Sequence, residues 1–185
     1  GLGVRNAGSI NTTAAQLTLN ANGDLVNSGN IIANKGQLDV QAKNIANSGN
    51  ISSAAAKVTV QSQNLSNSGL ISSGDELHLS QSAALQNTGL INAARVAIDA
   101  DSLSNSGKIQ QTGAQALALQ AKQISNTAGK IGVAASASSG GSTGGTGSSG
   151  GTTDPVAEQP VNQAQDGGSL SVVENADLPV KTYEA

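Results

Sequence analysis

The sequence predicts an all-β fold, a parallel β-helix or solenoid of about six to seven 20-residue coils followed by a flexible tail. Three observations predict it. The tripeptide Asn-Ser-Gly and its close variants begin at Asn6, Asn27, Asn47, Asn67, Asn87, Asn105 and Asn126, at spacings of 21, 20, 20, 20, 18 and 21 residues. An Ile stands two positions after each repeat Gly, at Ile10, Ile31, Ile51, Ile71, Ile91, Ile109 and Ile131. Between these landmarks apolar residues alternate with polar ones at period two, which marks short strands with one buried face.

Each unit follows one order. The corner comes first, and its Asn and Gly are the expected structural positions: Asn27 and Gly29, Asn47 and Gly49, Asn67 and Gly69, Asn87 and Gly89, Asn105 and Gly107, and Asn126. Gly supplies a positive φ without steric cost, and Asn forms turns by bonding its own backbone. Stacked coils place these Asn side chains in one column, where amides can hydrogen-bond along the axis. The Ile next in line gives the core ladder Ile31, Ile51, Ile71, Ile91, Ile109 and Ile131.

A variable polar or Ala-rich stretch follows the Ile. It runs from Ile91 to Val96 in the shortest case and from Ile109 to Leu117 in the longest, so length changes are expected there. An alternating pair comes next: Leu38 and Val40, Val58 and Val60, Leu77 and Leu79, Val96 and Ile98, Leu117 and Leu119. In 38–43, Leu38, Val40 and Ala42 point inward, and Asp39, Gln41 and Lys43 point outward. A last apolar residue stands two before the next Asn, as in Leu25, Ile45, Leu65, Leu85, Leu103 and Ile124. No unit shows the three- and four-residue spacing of a helix. One coil cannot bury its apolar face alone, but coils stacked about 4.8 Å apart can.

The repeat domain covers 1–133. Residues 134–153 form a linker, in which 138–153 are sixteen consecutive Ser, Gly or Thr residues, a composition expected to be flexible. Residues 154–185 carry six acids against Lys181 and three Pro. That tail is either disordered or contributes one to two capping strands, at 169–173 and 178–180, that cover the open last coil.

Composition narrows the function. The chain of 185 residues has no Cys, Met, Trp or Phe, one Tyr, one His and 23 Gly, and only 11% of it is charged. Without sulfur there is neither a disulfide framework nor a thiolate metal site. A single aromatic, Tyr183, argues against a base-stacking nucleic-acid module. No run of about 18 apolar residues offers a membrane span. Residues 1–153 carry eight basic and six acidic residues, too balanced to call for nucleic acid. The chain begins at Gly1 without Met, so a fragment or processed form is expected.

Units of about 20 residues with Asn-Ser-Gly-x-Ile and alternating Leu/Val resemble the haemagglutinin repeats of filamentous haemagglutinin-like exoproteins. These are secreted partners in two-partner secretion, a family that also includes contact-dependent inhibition toxins and haemolysins. The likeness covers about 1–133. The resemblance implies a right-handed parallel β-helix within a long bacterial surface filament used in adhesion. It further implies export through an outer-membrane two-partner secretion transporter, and a host-cell or bacterial surface receptor or glycan as partner.

The remaining candidates for chemistry are few. His78, between Leu77 and Leu79, points outward and offers neither a triad nor a metal set. Asp99 and Asp101 share an outward face, as paired carboxylates do in acid/base or Ca²⁺ sites. Asp101 stands in the column of Lys43, Gln63 and Lys122, however, and a contact with Lys122 is the simpler expectation. Asp75 and Glu76 follow Gly74 and read as a solvated bend. No catalytic, cofactor-binding or metal residue is assigned. The expected function is structural and adhesive. The alternatives are a passive stalk of a contact-dependent toxin or haemolysin and, more remotely, a β-helical carbohydrate-active enzyme.

Overall fold

A computed structural model describes residues 2–134 and the strand Ser169–Val172. The linker at 135–153, and the tail apart from that strand, lie outside the described residues.

The repeat domain is a β-solenoid of about six turns with three parallel ladders of strands. The first ladder carries the Asn column. It pairs Asn6 with Asn27, Asn27 with Asn47, Asn47 with Asn67, Asn67 with Asn87, Asn87 with Asn105 and Asn105 with Asn126. The second ladder carries the Ile column, from Ser9–Thr12 through Asn30–Ala33 and Asn50–Ser53 to Lys108–Gln111 and Lys130–Val133. The third stacks the alternating pairs, from Gln16–Asn20 through Gln37–Gln41 to the start of Leu117–Asn126. Every pairing within the repeat domain is parallel, as a chain coiling in one sense requires.

The sequence periodicity is the register. Ile31, Ile51, Ile71 and Ile91 are 0% exposed, and Ile109 and Ile131 1%. Leu38, Val58, Leu77, Val96 and Leu117 form a second fully buried column, and Leu25, Ile45, Leu65, Leu85 and Leu103 a third. Aliphatic side chains from three sides therefore fill one narrow interior. Packing loosens at the ends: Val4, Ile10, Leu17 and Leu19 of the first coil are partly buried, where no described coil covers their lower side, and so is Val133 in the last strand of the second ladder.

Two expectations about local structure are corrected. None of the repeat-corner glycines has a left-handed φ. Glycine is required there because the coils approach closely: a Cβ on Gly29 would lie 2.0 Å from the carbonyl oxygen of Gly8, and one on Gly69 would lie 2.2 Å from that of Gly49. Among the described residues, the one left-handed non-glycine is Ala128 (φ 60°), in the corner with an extra residue, Asn126-Thr127-Ala128-Gly129.

Length changes are also not confined to the stretch after the Ile. Residues 82–83 stand opposite Gln63 below and Asp101 above, a bulge in the third ladder. A second register shift falls between Ser73 and Glu76 relative to the next coil. The 18-residue unit lacks one residue at each of these places, so its Asn105 still lands on the column. Where the stretch after the Ile is short, pairing does not break: Leu70–Asn87 and Leu90–Asn105 are each one strand that wraps the corners of the coil.

Candidate functional site

The side chains brought together most closely are the corner amides. Asn27 Nδ2 donates to Asn47 Oδ1 (2.7 Å), Asn47 to Asn67 (2.8 Å), Asn67 to Asn87 (2.8 Å), Asn87 to Asn105 (2.8 Å) and Asn105 to Asn126 (2.7 Å). Asn6 starts the column by donating to Asn27 at 2.8 Å. Each Nδ2 from Asn27 to Asn105 also donates to the carbonyl of its own corner Gly, at 3.2–3.3 Å. A further bond reaches a backbone carbonyl of the next coil, as from Asn47 to Leu70 at 3.0 Å. Asn27, Asn47, Asn67, Asn87 and Asn105 are at most 2% exposed. A buried amide with donors and acceptor satisfied is a stabilising network, and one left unpaired is costly. All bonds along the column point the same way, so it is a directional tie running along the axis.

The corner backbone locks the same spacing. Ser48 N donates to Asn27 O at 2.8 Å and Asn50 N to Gly29 O at 2.9 Å, and the pattern repeats at 68–70 and 88–90. The Gly at this corner lets these short contacts form.

A second set of inward polar residues closes the corner between the second and third ladders. Ser53 Oγ donates to Gly36 O and Ser73 Oγ to Ala56 O, both at 2.8 Å. Gln111, 0% exposed, accepts from Val96 N at 2.9 Å and donates to Gly113 O at 3.2 Å. Sequence reading placed these residues in a variable stretch. The signal was present: each stands two after its Ile, so period two turns it inward, where a polar side chain needs a loop to bond.

The outer surface carries ladders of its own. Asn64 donates to Asn44 Oδ1 and Asn44 to Asp24 Oδ1, both at 2.8 Å. They line a shallow open groove of about 340 Å³ with Val26, Ala46 and Ser66. Glu76 departs from expectation. It is not in a solvated bend but within the strand Leu70–Asn87, with its side chain 21% exposed. Lys57 Nζ lies 2.8 Å from one of its carboxylate oxygens and the Arg95 guanidinium meets the other, which links three coils. The hydrogen bond from Lys57 holds the Glu76 carboxyl below the usual carboxylate range, against the opposing effect of partial burial, and the charges of Lys57 and Arg95 add to it.

A depressed carboxylate pKa contributes stability above the unfolded-state pKa, lost as pH falls through the lower folded value. Lys57 and Arg95 are 39% and 46% exposed, so solvent screening keeps the contribution small, roughly 0.2–1 kcal/mol. Glu76→Gln is therefore expected to lower stability by less than about 1 kcal/mol at pH 7. In urea titrations the gap from the unaltered chain should close below the ordinary carboxylate range and shrink in 1 M salt.

The residues considered for chemistry stand in different columns of the outer face. Asp101 lies 2.9 Å from Lys122 Nζ, in the cross-coil pair its column implied. Its neighbour Asp99 is exposed and stacks between Ser80 and Gln120. His78 stacks between Thr59 and Ala97 on the outer face. Among the described residues, no group of three or more His, Asp or Glu is placed to hold a metal ion. No helix in them is long and apolar enough to cross a membrane. No family model, curated protein or solved structure matches the chain.

Proposed function

We propose that this chain is a structural and adhesive segment of a secreted bacterial surface filament, of the haemagglutinin-repeat kind its sequence resembles. The observation that carries the reading is the axial amide column, unbroken from Asn6 to Asn126, on a body whose outer face repeats polar side chains coil after coil. Such a body suits projection and repeated weak contact. Six coils at about 4.8 Å each give a rod segment roughly 29 Å long. Outward polar ladders present the same groups at a fixed pitch, and repetition multiplies weak contacts into avidity. The partner is a surface receptor or glycan on a host or bacterial cell, and export runs through an outer-membrane transporter of the two-partner type.

Electron microscopy of the full filament is expected to show a thin rod, and a compact globule would overturn the reading. Removing two whole units from the filament separates adhesion from a passive stalk. Adhesion predicts weaker cell attachment in proportion to the contacts removed, whereas a stalk predicts shorter reach with attachment unchanged.

A further inference from the structure

The two ends of the solenoid are unequal. At the first coil, Leu17 and Leu19 are partly exposed along an edge on which no described strand pairs. At the last coil, the equivalent Leu117 and Leu119 are 0% and 1% exposed, although no described strand continues the parallel stack beyond them. The difference has a visible source. The strand Ser169–Val172 pairs antiparallel with the start of Leu117–Asn126, matching Leu117 with Val172, Ala118 with Ser171, Leu119 with Leu170 and Gln120 with Ser169. It lies where the next coil would place its third-ladder strand, and its direction is opposite to every other pairing in the fold.

An antiparallel strand cannot continue a parallel coil. It can only add to an edge. The geometry points to the 117–120 edge as a strand-acceptor site, occupied in cis by Ser169–Val172 and able to take the same segment from a second copy of this chain. An open edge offers unpaired N–H and C=O groups to any extended strand. Here the chain supplies its own occupant, and a segment that fits within one chain fits equally when another copy donates it. Tethering sets the balance: an intramolecular strand acts at a millimolar effective concentration, so at micromolar protein the cis form dominates. The site takes a short extended segment of four residues, which Ser169–Val172 fills with Leu170 in register with Leu119. The inference is independent of the proposed adhesive role, because it concerns only the end of the stack.

The test uses the full chain with Leu170→Pro and Ser171→Pro together, which removes pairing capacity in either register. Backbone hydrogen exchange at 117–120 is expected to speed up at least tenfold, with exchange at 77–79, two coils away, unchanged. Adding a synthetic peptide of residues 167–174 at millimolar concentration is expected to restore slow exchange at 117–120 alone. Unaltered exchange at 117–120 in the double variant would overturn the cis pairing. Failure of the peptide to restore protection would overturn the acceptor site. Loss of protection at 77–79 as well would overturn the idea of a strand added locally to a finished solenoid.

Discussion

Asn67→Asp is expected to destabilise the solenoid by about 3–5 kcal/mol at neutral pH, the cost typical of an uncompensated buried charge. The substitution keeps the shape of the side chain and changes only its chemistry. Asn67 is 1% exposed, and its Nδ2 donates to Asn87 Oδ1 at 2.8 Å, to Gly69 O at 3.3 Å and to Leu90 O at 3.4 Å. A carboxylate has nothing to donate, so it would face three acceptors with a negative charge. The bond from Asn47 into Oδ1, at 2.8 Å, is the one contact it retains. Burial among acceptors raises the folded-state pKa of the new carboxyl. The penalty therefore grows as pH rises from the unfolded-state value near ~3.9 towards the raised folded one. Urea denaturation should show the variant regaining part of its stability near pH 4, a recovery that loss of packing alone would not produce.

Gly69→Ala is expected to cost about 3 kcal/mol, near the upper end for overpacking, for a single added methyl group. The new Cβ would lie 2.2 Å from Gly49 O and 2.6 Å from Ser48 C, both backbone atoms. Neither can rotate away. The coils around them are held by Ser68 N to Asn47 O at 2.8 Å and Leu70 N to Gly49 O at 2.9 Å. Relief requires lengthening those bonds or tilting one coil on its neighbour. Gly8→Ala and Gly132→Ala are the matched controls. Nothing lies within 4 Å of a Cβ at either position and neither has a left-handed φ, so both should stay within about 0.5 kcal/mol of the unaltered chain. Thermal unfolding followed by circular dichroism separates the two outcomes.

These two predictions mark where the sequence was legible. The Asn and Ile columns followed from spacing alone, because a solenoid turns a 20-residue period into vertical neighbours. Asn67 stands over Asn47 and under Asn87 as the count requires. The inward and outward sides followed from period two. Glycine was assigned to the right place for the wrong reason. A corner Gly in one coil suggests a turn that needs positive φ, whereas the requirement comes from the neighbouring coil, which only three-dimensional stacking reveals.

The bulge at 82–83 was hidden for a related reason. The unit from Asn67 to Asn87 has the standard 20 residues, and one residue fewer before Leu77 offsets one more after Gln81. Total length conceals such a compensation. Glu76 was misread because Gly74-Asp75 looks like a turn. In the folded chain Gly74 packs against the backbone of the coil below: a Cβ there would meet Ala54 O at 2.0 Å. Glu76 then falls between Lys57 and Arg95, residues 19 positions away on either side. Ser53, Ser73 and Gln111 were missed as corner anchors although their spacing from the Ile gave them away.

Coils of 18–21 residues stack at a fixed pitch, tied through the Asn column, so whole units can be removed without disturbing the rest. Deleting residues 47–86 joins Ala46 to Asn87 and leaves a spacing of 20 residues from Asn27 to the next column position. Small-angle X-ray scattering of this variant, compared with the unaltered chain, should show the repeat domain shorter by two coil rises, about 9.6 Å, with its cross-section unchanged. A wider cross-section, an unfolded scattering profile or an unchanged length would contradict stacking of interchangeable coils.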